Sequence, residues 1–207
     1  MKTKYILSTV VLAGALFIQG SIALASTTTT GGLNYEDAGI TFNGENTIPT
    51  SLNFGALSIQ TTAAETRTAT TTGTQSDGAT TGTVTVSDNR GDAAGEWSIK
   101  LTQESQFAAT TGEALNNTSL IISHDAAVTN LTENTIAGNF ATAGDLALIP
   151  GTTYDVLNAG AGEGLGETSV DLSQFAMNIA ENTRKLATEY TTTLDWTFSS
   201  APANSAK

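Results

Sequence analysis

The sequence predicts an all-β fold: an antiparallel β-sandwich of immunoglobulin-like or Greek-key type, with long Thr- and Gly-rich loops and little helix. Three observations carry this. Short runs alternate large apolar with polar side chains, which puts each apolar set on one strand face. Turn-forming residues separate the runs throughout, among them 20 glycines in 207 residues. No stretch sustains a helical apolar period, and only residues 181–188 read as locally helical.

The elements follow in order. Ile40-Thr41-Phe42 with Asn43-Gly44 reads as a strand entering a tight hairpin turn, because Asn-Gly tolerates the positive φ such turns need. Residues 52–59 read as a strand broken at Gly55. Residues 61–83, rich in Thr, Ala and Gly, form either an exposed edge strand with a long loop or a poorly ordered segment. Thr83-Val84-Thr85-Val86 alternates cleanly, and Asp88-Asn89-Arg90-Gly91-Asp92 turns the chain into Trp97-Ser98-Ile99-Lys100-Leu101. Further strands are expected at 120–122, 146–149, 154–157 and 175–179. Residues 160–166 form a glycine-rich loop, expected to be a flexible connector. The last strand holds Tyr190, Leu194, Trp196 and Phe198 on one face.

Residues 1–25 have the layout of a secretory signal peptide. Lys2 and Lys4 precede an apolar stretch over residues 5–18, and Ala23-Leu24-Ala25 supplies a small-x-small cleavage site. The apolar stretch is short for a membrane span and is interrupted by Gln19 and Gly20. The expected organisation is a signal peptide at 1–25, a flexible segment with the first strand at 26–45, and one main domain at 46–207. Cleavage would leave 207 − 25 = 182 residues with a formal charge of 6 − 20 = −14. So acidic a chain argues against nucleic acid or anionic lipid as a partner, because both would be repelled. With no cysteine, its stability rests on a packed core rather than on disulfides.

Groups suited to catalysis are sparse. The only histidine lies in Ser123-His124-Asp125, but adjacent residues on a strand diverge and cannot act on one another as a triad. No carboxylate pair stands out for glycoside hydrolysis. Asp88, Asp92 and Glu96 share one turn and form a candidate Ca²⁺ site, although their spacing misses the helix-flanked calcium loop. The glycine loop has Leu165 where a dinucleotide-binding pattern starting at Gly160 needs glycine, so it is no phosphate cradle. Arg90-Gly91-Asp92 spells a tripeptide shown by some adhesins, and turn chemistry alone accounts for it. The Asn-x-Ser/Thr sequons at Asn116, Asn117 and Asn130 are expected by chance in so Thr- and Asn-rich a chain. No catalysis, cofactor or resident metal is expected.

The two tryptophans each open a strand face. Trp97 shares its face with Ile99 and Leu101, and Trp196 with Leu194 and Phe198, which favours core packing over stacking on a ligand. At these residues the chain resembles the WxL-domain proteins of low-GC Gram-positive bacteria. That family is named for two Trp-x-Leu motifs, the distal one in a Tyr-x-x-x-Leu-x-Trp-x-Leu-x-x-x-Pro run. Tyr190, Leu194, Trp196 and Pro202 match at the required spacing, and Trp97 supplies the proximal motif. The likeness extends to Leu52-Asn53-Phe54-Gly55, to residues 84–91 and to residues 157–164, and so covers roughly residues 31–204. Ile99 and Phe198 stand where the name-giving leucines would be, and both keep a large apolar side chain. The resemblance implies a non-catalytic secreted protein held non-covalently at the Gram-positive cell wall, with peptidoglycan as ligand. It further implies partners: other WxL proteins, a membrane-anchored WxL-interacting protein and, for an adhesive subunit, host extracellular matrix. In keeping with non-covalent retention, the sequence carries no Leu-Pro-x-Thr-Gly sorting signal and no apolar C-terminal anchor.

Overall fold

The computed structural model describes residues 32–33, 35–36, 38–91, 95–131 and 134–201. The expected signal peptide, and Asp92 and Pro202, lie outside the described residues. Almost all the described residues belong to one unit, residues 36–207. Its strands are β1 (Ile40–Phe42), β2 (Glu65–Thr68), β3 (Gly82–Asp88), β4 (Trp97–Gln103), β5 (Ala108–Ala109), β6 (Thr118–His124), β7 (Val128–Thr129), β8 (Gly144–Leu148), β9 (Thr153–Ala159), β10 (Gly166–Ile179), β11 (Tyr190–Thr191) and β12 (Leu194–Ser200). One helical turn, α1 (Gly44–Thr47), interrupts them.

Every pairing is antiparallel. The larger sheet runs β1-β3-β10-β6-β8, with β2 and β7 also paired to β10. The smaller runs β12-β4-β9, and β11 pairs with β5. The inward faces of both main sheets meet in one core. Val84 and Val86 of β3, Leu120 and Ile122 of β6, and Val170, Leu172 and Phe175 of β10 belong to it, with Trp97, Ile99 and Leu101 of β4. Each of these side chains contributes about 1.5–3 kcal/mol by leaving water.

Strand β10 is far longer than the segment 175–179 that the sequence suggests. Its first half is masked by chemistry and by parity. Val170 and Leu172 are its only large apolar residues before Phe175, and they face inward on even positions. Ser173 is then an extra residue: Leu172 pairs with His124 while Gln174 pairs with Ser123. This β-bulge switches the inward set to Phe175, Met177 and Ile179. A second register shift, where β9 pairs β4, lets the consecutive Val156 and Leu157 both be fully buried.

Four local expectations are corrected. Asn43 has φ −97° rather than a positive value, and β1 pairs with β3, so Asn43-Gly44 starts the helical turn α1 instead of a hairpin. The Phe42 ring lies where a β-carbon on residue 44 would sit, so any other residue there would have to displace that ring. Residues 52–59 are not a strand. Asn53 Oδ1 accepts from Gly55 N at 2.9 Å, Gly55 sits at φ +79°, and Arg67 Nε donates to Phe54 O at 3.1 Å. Residues 181–188 are not helical, because Asn182 is left-handed at φ +60° and donates its N–H to Thr61 O at 2.8 Å. The alternating run 190–198 divides into β11 and β12. Within 61–83, β2 is the edge strand expected, and Gln75 caps its outer side by bonding both Thr68 N and Thr68 O, at 2.9 and 2.8 Å.

Candidate binding groove

The two tryptophan strands, about a hundred positions apart in the chain, are neighbours in one sheet. Trp196 lies opposite Leu101, Phe198 opposite Ile99, and Ser200 opposite Trp97. Such directly opposed side chains are the unit of sheet stabilisation. Their positions in the sheet differ. β4 is central, and its Trp97, Ile99 and Leu101 are at most 2% exposed. β12 is an edge, and its Leu194, Trp196 and Phe198 are only partly buried.

The glycine loop explains how Trp97 is sealed. Gly164, at φ +65°, lies so close that a β-carbon would fall 2.6 Å from Trp97 Nε1 and from the Ala159 methyl. The loop is held in place rather than being a bare connector. Glu163 Oε2 accepts from Thr135 N at 2.7 Å, Asn134 Nδ2 donates to Leu165 O, and Glu167 N donates to Asn130 Oδ1 at 2.8 Å.

Trp196 faces a different environment. Its ring is 6.3 Å from that of Phe140, and it lines a groove of about 1250 Å³. Leu194 and Tyr190 line the same groove, with Leu52, Phe54, Phe107 and Met177. Phe198 stacks on Phe42 at 5.5 Å, joining the edge of the smaller sheet to β1 of the larger. Of the six motif residues, then, Tyr190, Leu194 and Trp196 converge on the groove, Phe198 bonds its flank to β1, and Trp97 and Ile99 belong to the core. Sequence reasoning missed Phe42, Phe54, Phe107 and Met177 as groove or flank residues. Each stands in a segment with no periodicity that ties it to the distal motif.

The polar candidates resolve differently. Asp88 is buried and its carboxylate is held by Arg90: Nε reaches Oδ1 at 2.9 Å and Nη2 reaches Oδ2 at 2.7 Å. Arg90 also donates to Gly95 O at 2.7 Å and to Ala201 O, which ties the turn after β3 to the end of β12. Both oxygens of Asp88 are therefore engaged by a cation already, which removes it from the Ca²⁺ site suggested with Asp92 and Glu96. The buried guanidinium likewise cannot present Arg90-Gly91-Asp92 to a receptor. His124 is 5% exposed, its ring 4.1 Å from Phe140 and its Nδ1 3.0 Å from Asp125 O. It packs in the core and does not engage Ser123 as a base. Glu65 pairs with Lys185 at 2.6 Å, and the Lys185 ammonium holds the Glu65 carboxyl below the usual carboxylate range against the opposing effect of burial. Among the described residues no three His, Cys, Asp or Glu side chains cluster as metal ligands would.

A family model, WxL domain surface cell wall-binding, matches residues 43–202. The chain belongs to the WxL domain family. It is thus a surface protein that associates with the cell wall. No curated protein matches it. The match begins just after β1 and ends just after β12, so it takes in every strand from β2 to β12.

Proposed function

We propose that this WxL domain is a non-catalytic module that binds peptidoglycan directly and non-covalently, within a surface complex of WxL proteins and a membrane-anchored WxL-interacting protein. Residues 1–25 would direct its export. The observation that carries the reading is the extent of the family match, which takes in every strand from β2 to β12 and so supports wall association as a property of the folded domain. A non-catalytic role is supported by the engagement of its buried polar groups: Asp88 with Arg90, Glu65 with Lys185, and His124 against Phe140. The purified protein should co-sediment with isolated sacculi and release no muropeptides. Protein that stays in the supernatant at every ionic strength, while a known wall binder pellets, removes direct binding.

A second reading has this domain dock to a protein partner and reach the wall through it. The groove is compatible with it, because Leu52, Phe54, Phe107, Met177, Leu194 and Trp196 offer apolar surface to a partner's side chains, beside polar lining from Thr50, Ser51 and Thr191 to Thr193. Capture of the WxL-interacting protein by a domain that fails to pellet with sacculi would support this reading over the first.

A further inference from the structure

We propose that β12 is an open docking edge that accepts one added β-strand, supplied by a protein of neutral or basic character whose alternate apolar side chains fill the groove beside it. This rests on the second reading, and names how the partner is held.

The argument begins with hydrogen-bond parity. Glu104 N donates to Thr193 O and Ala201 N to Glu96 O, each at 2.8–2.9 Å, on either side of the β12–β4 register. In an antiparallel pair the bonded positions alternate, so Asp195, Thr197 and Ser199 turn their backbone groups toward β4. Leu194, Trp196 and Phe198 turn their N–H and C=O groups the other way. None of those groups has a hydrogen-bond partner among the described residues.

The other long strand edges are covered at least in part. On the outer side of β9, Asn158 and Ala137 exchange bonds at 2.9 Å, and Phe140 N donates to Val156 O at 2.9 Å. At the end of β8 the Tyr154 hydroxyl donates to Ala147 O and accepts from Ile149 N. Gln75 caps β2. Proteins commonly block edges in these ways, because an open ladder recruits other strands. Among the described residues, nothing blocks β12 in this way across its seven residues.

The same residues that expose the ladder line the groove. Leu194 and Trp196 send their side chains into it while their backbone groups point along the sheet plane. Only an extended polypeptide offers alternating donors and acceptors at this spacing together with side chains on one face. Charge then selects among polypeptides. The chain has a formal charge of −12, which opposes a second copy. Of the ionisable groups lining the groove, Lys185 is paired with Glu65, while Glu189 is exposed and has no ion-pair partner among the described residues. Glu189 is placed to meet a cationic side chain of the incoming strand.

Amide hydrogen exchange on the full-length protein tests this, with a synthetic nine-residue peptide of alternating valine and threonine flanked by lysines as probe. The expected result is saturable binding that slows exchange at Leu194, Trp196 and Phe198 at least tenfold and leaves Asp195 and Thr197 unchanged. The peptide N-methylated on its β12-facing amides should not bind, and Glu189→Lys should weaken the unmodified peptide several-fold with unchanged melting. Four results would overturn the proposal: no binding at millimolar peptide, binding that leaves those three amides exchanging as before, protection already present in dilute peptide-free monomer, or protection that grows with protein concentration as a dimer forms. The second of these would sink strand addition while keeping the groove as a partner surface. The last two would assign the edge to the chain itself.

Discussion

At Trp97 the indole is 2% exposed and sealed by Gly164, whereas Trp196 is partly buried on a sheet edge. The same side chain therefore has different consequences at the two sites. Trp97→Ala should cost about 3–5 kcal/mol in urea unfolding, because it empties a closed site. Trp196→Ala should cost less and instead reduce partner or wall binding, with the far-ultraviolet spectrum unchanged. Equal losses of stability would contradict this division. Arg90 is the other residue with more than local reach. It holds a buried carboxylate and two carbonyls from separate segments. Arg90→Ala removes the ion-pair partner of the buried Asp88 carboxyl, for which about 3–5 kcal/mol is the expected loss. Nothing in the turn residues 88–92 reveals this role, since an arginine beside an aspartate is equally at home in a solvated loop.

Among the elements, β4 and β12 were legible because both alternate with large side chains at every second position. β10 was legible only over 175–179, since its first half carries small polar residues and Ser173 breaks the alternation. Deleting Ser173 should remove the bulge and leave Val170, Leu172, Phe175, Met177 and Ile179 alternating on the same inward face, because Gln174 would then follow Leu172 directly and pair with Ser123 in a regular ladder. A cooperative unfolding transition close to the native one is the expected result, and its loss would refute the register argument. The segment at 181–188 has helical composition but donates its backbone and side-chain groups to distant partners, Thr61 and Glu65. The Glu65–Lys185 link gives this element a pH dependence. Glu65 has a lowered pKa in the folded state, so its stabilising effect is complete above the unfolded value of about 4.3 and disappears as pH falls through the lowered folded value. Stability should therefore decline with acidification across that range, and Glu65→Gln should flatten that part of the profile.

For the whole molecule, charge and shape act together. Twenty acidic against eight basic residues oppose approach to any anionic polymer in the wall. If the domain binds peptidoglycan, sacculi stripped of anionic polymers should retain more of it at low ionic strength. The difference should vanish in a few tenths molar salt, where screening shortens the Debye length below about 10 Å. A preference for unstripped sacculi would show that the anionic polymers themselves attract it. The sequence by itself determined the all-β character, the inward faces of the two tryptophan strands and the family, because each follows from residue types at fixed short spacings. Only the tertiary structure decided that those strands pair, that one becomes a core strand and the other an open edge, and that Leu52, Phe54, Phe107 and Met177 complete a groove beside it. A strand's side-chain alternation is a property of its own few residues. Its hydrogen-bonding neighbour is chosen by segments far away in the chain, so whether an edge is covered or left open is settled only when those segments have packed.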